Sequence, residues 1–170
     1  MARGDGILCM RSFSIGGGHL TGDIASAYSV KFKTAERIKR KIDLMRDMGD
    51  EGIYETEEDG RSVSVPSNEI NDIAIRRIRV IAKGVEKCLT TSEFDLPDYL
   101  TYSLTGGGIC FIRGAKDALG VALGKKIEIV CPSMPLAENP SLSTAWSLLD
   151  AAVSSGKAKQ SFWNNIFKKI

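Results

Sequence analysis

"LTGGG", residues 104–108, and "IGGGHLTGDIA", residues 15–25, decide how this chain is read. Each places three glycines after an apolar, strand-like run and ahead of a segment with helical character. Three glycines in a row remove every side chain from a turn. That suits a sharp backbone bend, or a surface where a bulky ligand lies against bare peptide. A tight strand-to-helix turn would explain either triplet alone. Both lie at the carboxyl ends of expected strands, where open α/β sheets bind their ligands. The question is whether the two turns form one site.

Outward from the first triplet, residues 6–15 read as extended, and Thr21 or Asp23 is placed to cap a short helix beginning near Ile24. Ala35, Ile38, Ile42 and Met45 predict a helix over 34–48, with "RIKRK" as its wet face. Residues 49–66 are acidic, and Asp59-Gly60 predicts a hairpin turn between "GIYET" and "RSVSV". Ser67 is placed to cap a long helix in which Ile70, Ile73, Ile78, Ile81, Val85 and Leu89 recur at helical spacing. "YLTYSL" predicts a strand, residues 115–123 a helix, "KIEIV" a strand, and Asn139-Pro140-Ser141 the start of a last helix through "LSTAWSLLDAAV". This order predicts an α/β fold with helices covering a sheet.

Composition narrows the function classes. The chain has 170 residues, 43% of them apolar and 26% charged, enough for one domain with a real core. A net charge of +2 supplies no overall attraction to nucleic acid. Cys9, Cys88, Cys110 and Cys131 contain no CxxC pair and lie in apolar stretches, so they read as reduced core thiols of a cytosolic protein. His19 has no His or Cys at ligand spacing, so no metal site is expected. The first ten residues hold no long apolar run of the signal-peptide kind, and no run of about 18 apolar residues predicts a membrane span.

Three features together carry a family resemblance: "GGGHLTGDIA" from Gly16 to Ala25, the helix with Ala35, Glu36, Ile38 and Lys39, and "LTGGG" from Leu104 to Gly108. A late "NP..STA" follows at Asn139, Pro140, Ser143, Thr144 and Ala145. In this order they resemble the second half of an actin-like ATPase, most closely the bacterial cell-division family FtsA. The resemblance implies the second half of a ribonuclease-H-like actin fold over residues 1–153, with a small inserted hairpin subdomain at 49–66. It implies ATP, with Mg²⁺ in the full-length family, as ligand. Gly106, Gly107 and Gly108 would lie against adenosine, Glu36 would accept a hydrogen bond from a ribose hydroxyl, and Lys39, one turn along the same face, would contact base or ribose. Gly16 to Gly18 would border the phosphate side, and His19 would serve as a turn or capping residue. A solvated helix face is the plain alternative for Glu36 and Lys39. Trp146 and Ser147 in "TAWSLL", and "ICFIRGA" after the second triplet, depart from the family pattern and bear on nucleotide affinity more than on fold.

The family holds phosphates between two hairpins of the form Asp-x-Gly-x-x-x-Thr, and no aspartate followed by a glycine-rich, threonine-bearing turn precedes the first strand here. Phosphoryl transfer rests on positioning and on Mg²⁺ held at the phosphates. The chain is therefore expected to be a C-terminal portion of an FtsA-like protein, with no catalytic residue of its own and weak or no ATP binding alone. The resemblance further implies a tether that links FtsZ polymers to the cytoplasmic side of the inner membrane at the division site. It would bind the FtsZ C-terminal peptide and self-associate into actin-like polymers. Arg76, Arg77 and Arg79 are candidates to meet an acidic peptide, or else form a solvated helix face. Rival readings are an actin-like ATPase of pilus-assembly or chaperone type, and an interaction module without nucleotide binding.

The tail needs no family. After a polar linker at 154–160, Phe162, Trp163, Ile166, Phe167 and Ile170 in "SFWNNIFKKI" fall on one face of a helix over 161–170, with Lys168 and Lys169 beside them. Aromatic and aliphatic side chains flanked by lysines compose an interfacial helix suited to an anionic membrane surface. The resemblance to FtsA, whose members carry a membrane-targeting C-terminal helix, implies the same. A helix docked on the body is the alternative.

Overall fold

The computed structural model describes residues 1–3, 6–92, 97, 99–132 and 139–154. Its longest element is the 24-residue helix α3, Ser67–Thr90, which organises the core. Ile70, Ala74, Ile78, Ile81 and Ala82 recur at the helical period on one face, and all are buried. Each fully buried isoleucine contributes about 1.5–3 kcal/mol relative to an exposed one. Against α3 pack α1, Gly17–Tyr28, and α4, Ala115–Leu123. Helix α2, Phe32–Lys39, packs on α1. Leu20 and Ile24 of α1, Ala35 and Ile38 of α2, and Ala115 and Leu119 of α4 join α3 in one apolar cluster.

The strands pair in twos among the described residues. β1, Ala2–Arg3, pairs antiparallel with β2, Gly6–Ile7. β3, Ile53–Glu58, and β4, Arg61–Pro66, form an antiparallel hairpin in which Ile53 faces Pro66 and Glu58 faces Arg61. Its turn residues Asp59 and Gly60 both have positive φ, 50° and 77°, as a two-residue primed turn requires. β5, Tyr102–Leu104, runs parallel to β6, Ile127–Ile129, with α4 as the crossover between them. A 3₁₀ turn at Pro140–Leu142 leads into a helix, α5, over residues 143–154. No helix among the described residues is long and apolar enough to cross a membrane.

Five local expectations are corrected. Helix α1 starts at Gly17 rather than near Ile24, so two residues of the first triplet lie inside the helix. The Gly16 N–H donates to Nδ1 of His19 at 3.3 Å, and that side chain, not Thr21 or Asp23, serves the helix start. Helix α2 ends at Lys39 instead of continuing to 48. The chain turns there to bury Ile42, and then Leu44 donates its N–H to the Arg113 carbonyl at 2.9 Å, so Met45 leaves the stripe and is exposed. Of the residues expected to be extended at 6–15, only Gly6 and Ile7 form a strand. The four cysteines are free and half-buried rather than deep in the core. Residues 155–170, which include the candidate membrane residues Phe162, Trp163, Ile166, Phe167, Lys168, Lys169 and Ile170, lie outside the described residues.

Candidate functional site

The two glycine triplets meet. A Cβ placed on Gly17 would lie 2.8 Å from the Gly108 Cα and 3.1 Å from its carbonyl carbon, so backbone touches backbone. Only glycine permits that approach at Gly17. The second turn is fastened from its other side by the segment that opens α5. The Gly106 N–H donates to the Pro140 carbonyl at 3.0 Å, and the Thr105 and Ser143 hydroxyls are 2.6 Å apart. Thr105 Oγ1 lies 2.8 Å from the Val130 carbonyl, just beyond β6. The Asn139 side chain accepts from the Ser141 N–H at 3.0 Å and from its hydroxyl at 2.8 Å, holding the turn in place. Gly106 has φ 99°, a conformation side chains disfavour, and among the described residues nothing beyond its chain neighbours lies within 4 Å of where its Cβ would stand. The turn thus presents open, bare backbone.

Glu36 and Lys39 join this junction through Thr21. Lys39 is 6% exposed, and a lysine is buried only when paired. Its ammonium lies 2.6 Å from Glu36 Oε2 and donates to Thr21 Oγ1 at 3.1 Å and to the Gly17 carbonyl at 3.4 Å. The Thr21 hydroxyl, fully buried, donates to Glu36 Oε2 at 2.6 Å. The other carboxylate oxygen, Oε1, accepts from Nε of the exposed Arg40 at 3.2 Å. Burial pushes the Glu36 carboxyl up. Hydrogen bonds from Lys39 and Thr21, the Lys39 charge and a hydrogen bond from Arg40 together outweigh that and hold it below its usual range. The group is an ionised acceptor with one oxygen committed inward and one on the solvent side. An acceptor beside bare glycine backbone fits the hydroxyls and flat ring of an adenosine-type ligand.

The candidate nucleotide and arginine residues all fall among the described residues. Gly106, Gly107 and Gly108 form the turn, and Gly107 backs onto Ser141, whose Cβ is 3.2 Å from the position of an added methyl. Glu36 lies on the rim of the node, whereas Lys39 is interior and engaged with protein partners. Thr21 was read from the sequence as a candidate cap and as part of the GGGHLTGDIA stretch, and its bond to Glu36 was not foreseen, because that partner is 15 positions away on another helix. Among the α3 arginines, Arg77 is committed to Asp23 of α1 by two hydrogen bonds of 2.6 Å. Arg76 is exposed beside that pair and borders a cavity of about 380 Å³ with Ser26, Ala27, Ile73 and Val80. Arg79 lies on a different groove, shared with α4.

Solved structures define the class. The chain is similar to the crystal structure of MreB 5 of Spiroplasma citri bound to AMPPNP, with a TM-score of 0.62 and 16% identity, over 91% of this chain and 49% of that one. It is similar to MreB5 of Spiroplasma citri bound to ADP with a TM-score of 0.58 and 18% identity, over 87% of this chain and 48% of that one. The fold is a partial actin-like fold, and the chain spans about half the length of these structures. A search of curated proteins gives no match. The family model described as "Cell division protein FtsA" matches residues 1–147. The chain belongs to the FtsA family of cell-division proteins.

Proposed function

We propose that this chain carries the adenosine-binding part of an FtsA-type tether that links FtsZ polymers to the cytoplasmic face of the inner membrane at the division site. The observation that supports it best is the junction itself, where Gly17 meets Gly108 and the Thr21, Glu36 and Lys39 node closes over Gly17. In this reading ATP, with Mg²⁺ on its phosphates, is the ligand. Gly106 to Gly108 receive adenosine, Glu36 accepts from a ribose hydroxyl, and Gly16 to Gly18 border the phosphate side. When bound, ATP supplies a cleavable phosphoanhydride. This chain's own residues bind and orient the adenosine, and weak binding without hydrolysis is expected of the chain alone, since phosphoryl transfer rests on positioned phosphates and Mg²⁺.

Polymerisation and attachment follow from the same family reading. Residues 161–170 would immerse Phe162, Trp163, Ile166, Phe167 and Ile170 in an anionic leaflet, with Lys168 and Lys169 at its surface. Each lysine there adds about 1 kcal/mol, screened by salt. A single short helix attaches weakly, so self-association into actin-like polymers supplies the avidity. The acidic FtsZ tail peptide would meet the exposed Arg76 on α3, while Arg77 stays paired with Asp23.

Co-sedimentation with phosphatidylglycerol-containing vesicles tests the attachment. The intact chain should pellet with vesicles, more at low salt, and a variant lacking residues 161–170 should stay in solution. Equal pelleting of both would overturn the membrane reading and favour a tail docked on the body. Fluorescence anisotropy of a labelled FtsZ tail peptide tests the partner, with Arg76→Glu expected to abolish binding. Unchanged binding by that variant would remove Arg76 from the contact.

A further inference from the structure

Thr21 is the one fully buried hydroxyl in the node, and it is bonded on both sides. It donates to Glu36 Oε2 at 2.6 Å and accepts from Lys39 Nζ at 3.1 Å. Lys39 spends its remaining reach on Glu36 Oε2, at 2.6 Å, and the Gly17 carbonyl, at 3.4 Å. Both inner groups therefore converge on one carboxylate oxygen. Among the described residues, the other oxygen, Oε1, is held by Arg40, whose side chain is 70% exposed. A carboxylate free to rotate would average its two oxygens. One fixed in this way keeps Oε2 inward and leaves a single oxygen, Oε1, on the Arg40 side.

We propose that Thr21 is a positioning residue, whose hydroxyl fixes the Glu36 carboxylate so that Oε1 alone is offered to a ligand hydroxyl, and that Lys39 acts through Glu36 rather than on the ligand. The inference rests on the nucleotide reading only for the identity of that ligand. Glu36 so held is acceptor-only. A ligand lacking the hydroxyl donor forfeits that bond and leaves Oε1 to Arg40. Thr21→Val keeps the shape and removes the hydroxyl, and Thr21→Ser keeps the hydroxyl.

The test is a carbon-detected NMR titration of the Glu36 side chain in the full chain without ligand. It is paired with binding of Mg²⁺-ATP and of Mg²⁺-2′,3′-dideoxy-ATP at millimolar concentration. In the wild type Glu36 should titrate below the ordinary glutamate range. Thr21→Val should move that titration upward and Thr21→Ser should restore it, which a hydroxyl with only a packing role would not do. Thr21→Val should also shrink the preference for ATP over the dideoxy analogue, expected at about tenfold from one lost hydrogen bond to a charged acceptor. An unshifted Glu36 titration in Thr21→Val overturns the proposal. So does an ordinary Glu36 titration in the wild type, which needs no variant to fold. If the wild type binds neither nucleotide, the nucleotide reading fails while the titration still decides the role of Thr21.

Discussion

Helix α2 spends its charged and polar side chains in two directions, and the two sides differ in what surrounds them. Toward α1, Glu36 and Lys39 close a buried node with Thr21 and the Gly17 carbonyl. Toward the β3–β4 hairpin, the same region offers links that are mostly exposed, the buried Thr34 apart. Lys31 pairs with Asp59, and the Lys31 N–H and Thr34 hydroxyl both donate to Glu58 Oε1 at 2.7 Å. Arg37 reaches the Glu57 carbonyl at 2.9 Å, and Lys41 reaches the Glu55 carbonyl. The hairpin side has more contacts. The node has water excluded from one partner, so each bond there is worth more and each loss leaves a charge uncompensated. Ion pairs on the wet side contribute little and are screened by salt.

The largest break in this comparison comes from the backbone contact beneath the node. Gly17→Val drives a side chain into the Gly108 backbone, which has nowhere to move, and should destabilise by about 3 kcal/mol or more. Gly18→Ala, one residue on, meets nothing within 4 Å and should be neutral or stabilising by about 0.5 kcal/mol. Urea denaturation of the two variants separates a required close approach from a merely permitted glycine. Next in size, Glu36→Gln removes the partner of a buried ammonium and should cost about 2–3 kcal/mol.

The same pair sets a pH dependence. The Glu36 carboxyl is held below its unfolded value, so its stabilisation is full above the unfolded value and is lost as pH falls through the folded one. Urea midpoints of the wild type should decline over that acidic window, and Glu36→Gln should flatten the decline. A smaller loss, about 1–2 kcal/mol, is expected for Asp23→Asn, which breaks the two-bond link between α1 and α3. At the bottom of the order, Lys31→Ala on the hairpin side should leave the denaturation midpoint unchanged at physiological salt, since both partners are largely exposed.

How much of this was legible in the sequence depended on whether a residue's role is local. Helix α4 runs from Ala115 to Leu123 as read, because Gly114 and Gly124, both at positive φ, bracket it. The Asp59-Gly60 turn was visible for the same reason, since two adjacent residues fix it. The start of α1 was hidden because glycine is a poor helix former, yet it is tolerated in a first turn that His19 closes. The end of α2 was hidden because burying Ile42 and pairing Leu44 with Arg113 depend on a loop 69 positions away. Glu36, Lys39 and the glycine turn were recognisable as a pattern. That Lys39 is interior, and that Thr21 binds Glu36, follow from the packing of α1 on α2, which no spacing within either helix encodes.

The most direct test of the site is a backbone-amide NMR titration of the chain with Mg²⁺-ATP into the millimolar range, where weak binding is still seen. A ligand seated at the meeting of the two glycine turns should shift Gly106, Gly107 and Gly108 together with Gly17 and Glu36, saturably, and leave the hairpin residues 53–66 in place. Shifts confined to the hairpin or to the α3 arginines, with the two glycine turns unmoved, would contradict a nucleotide site at this junction.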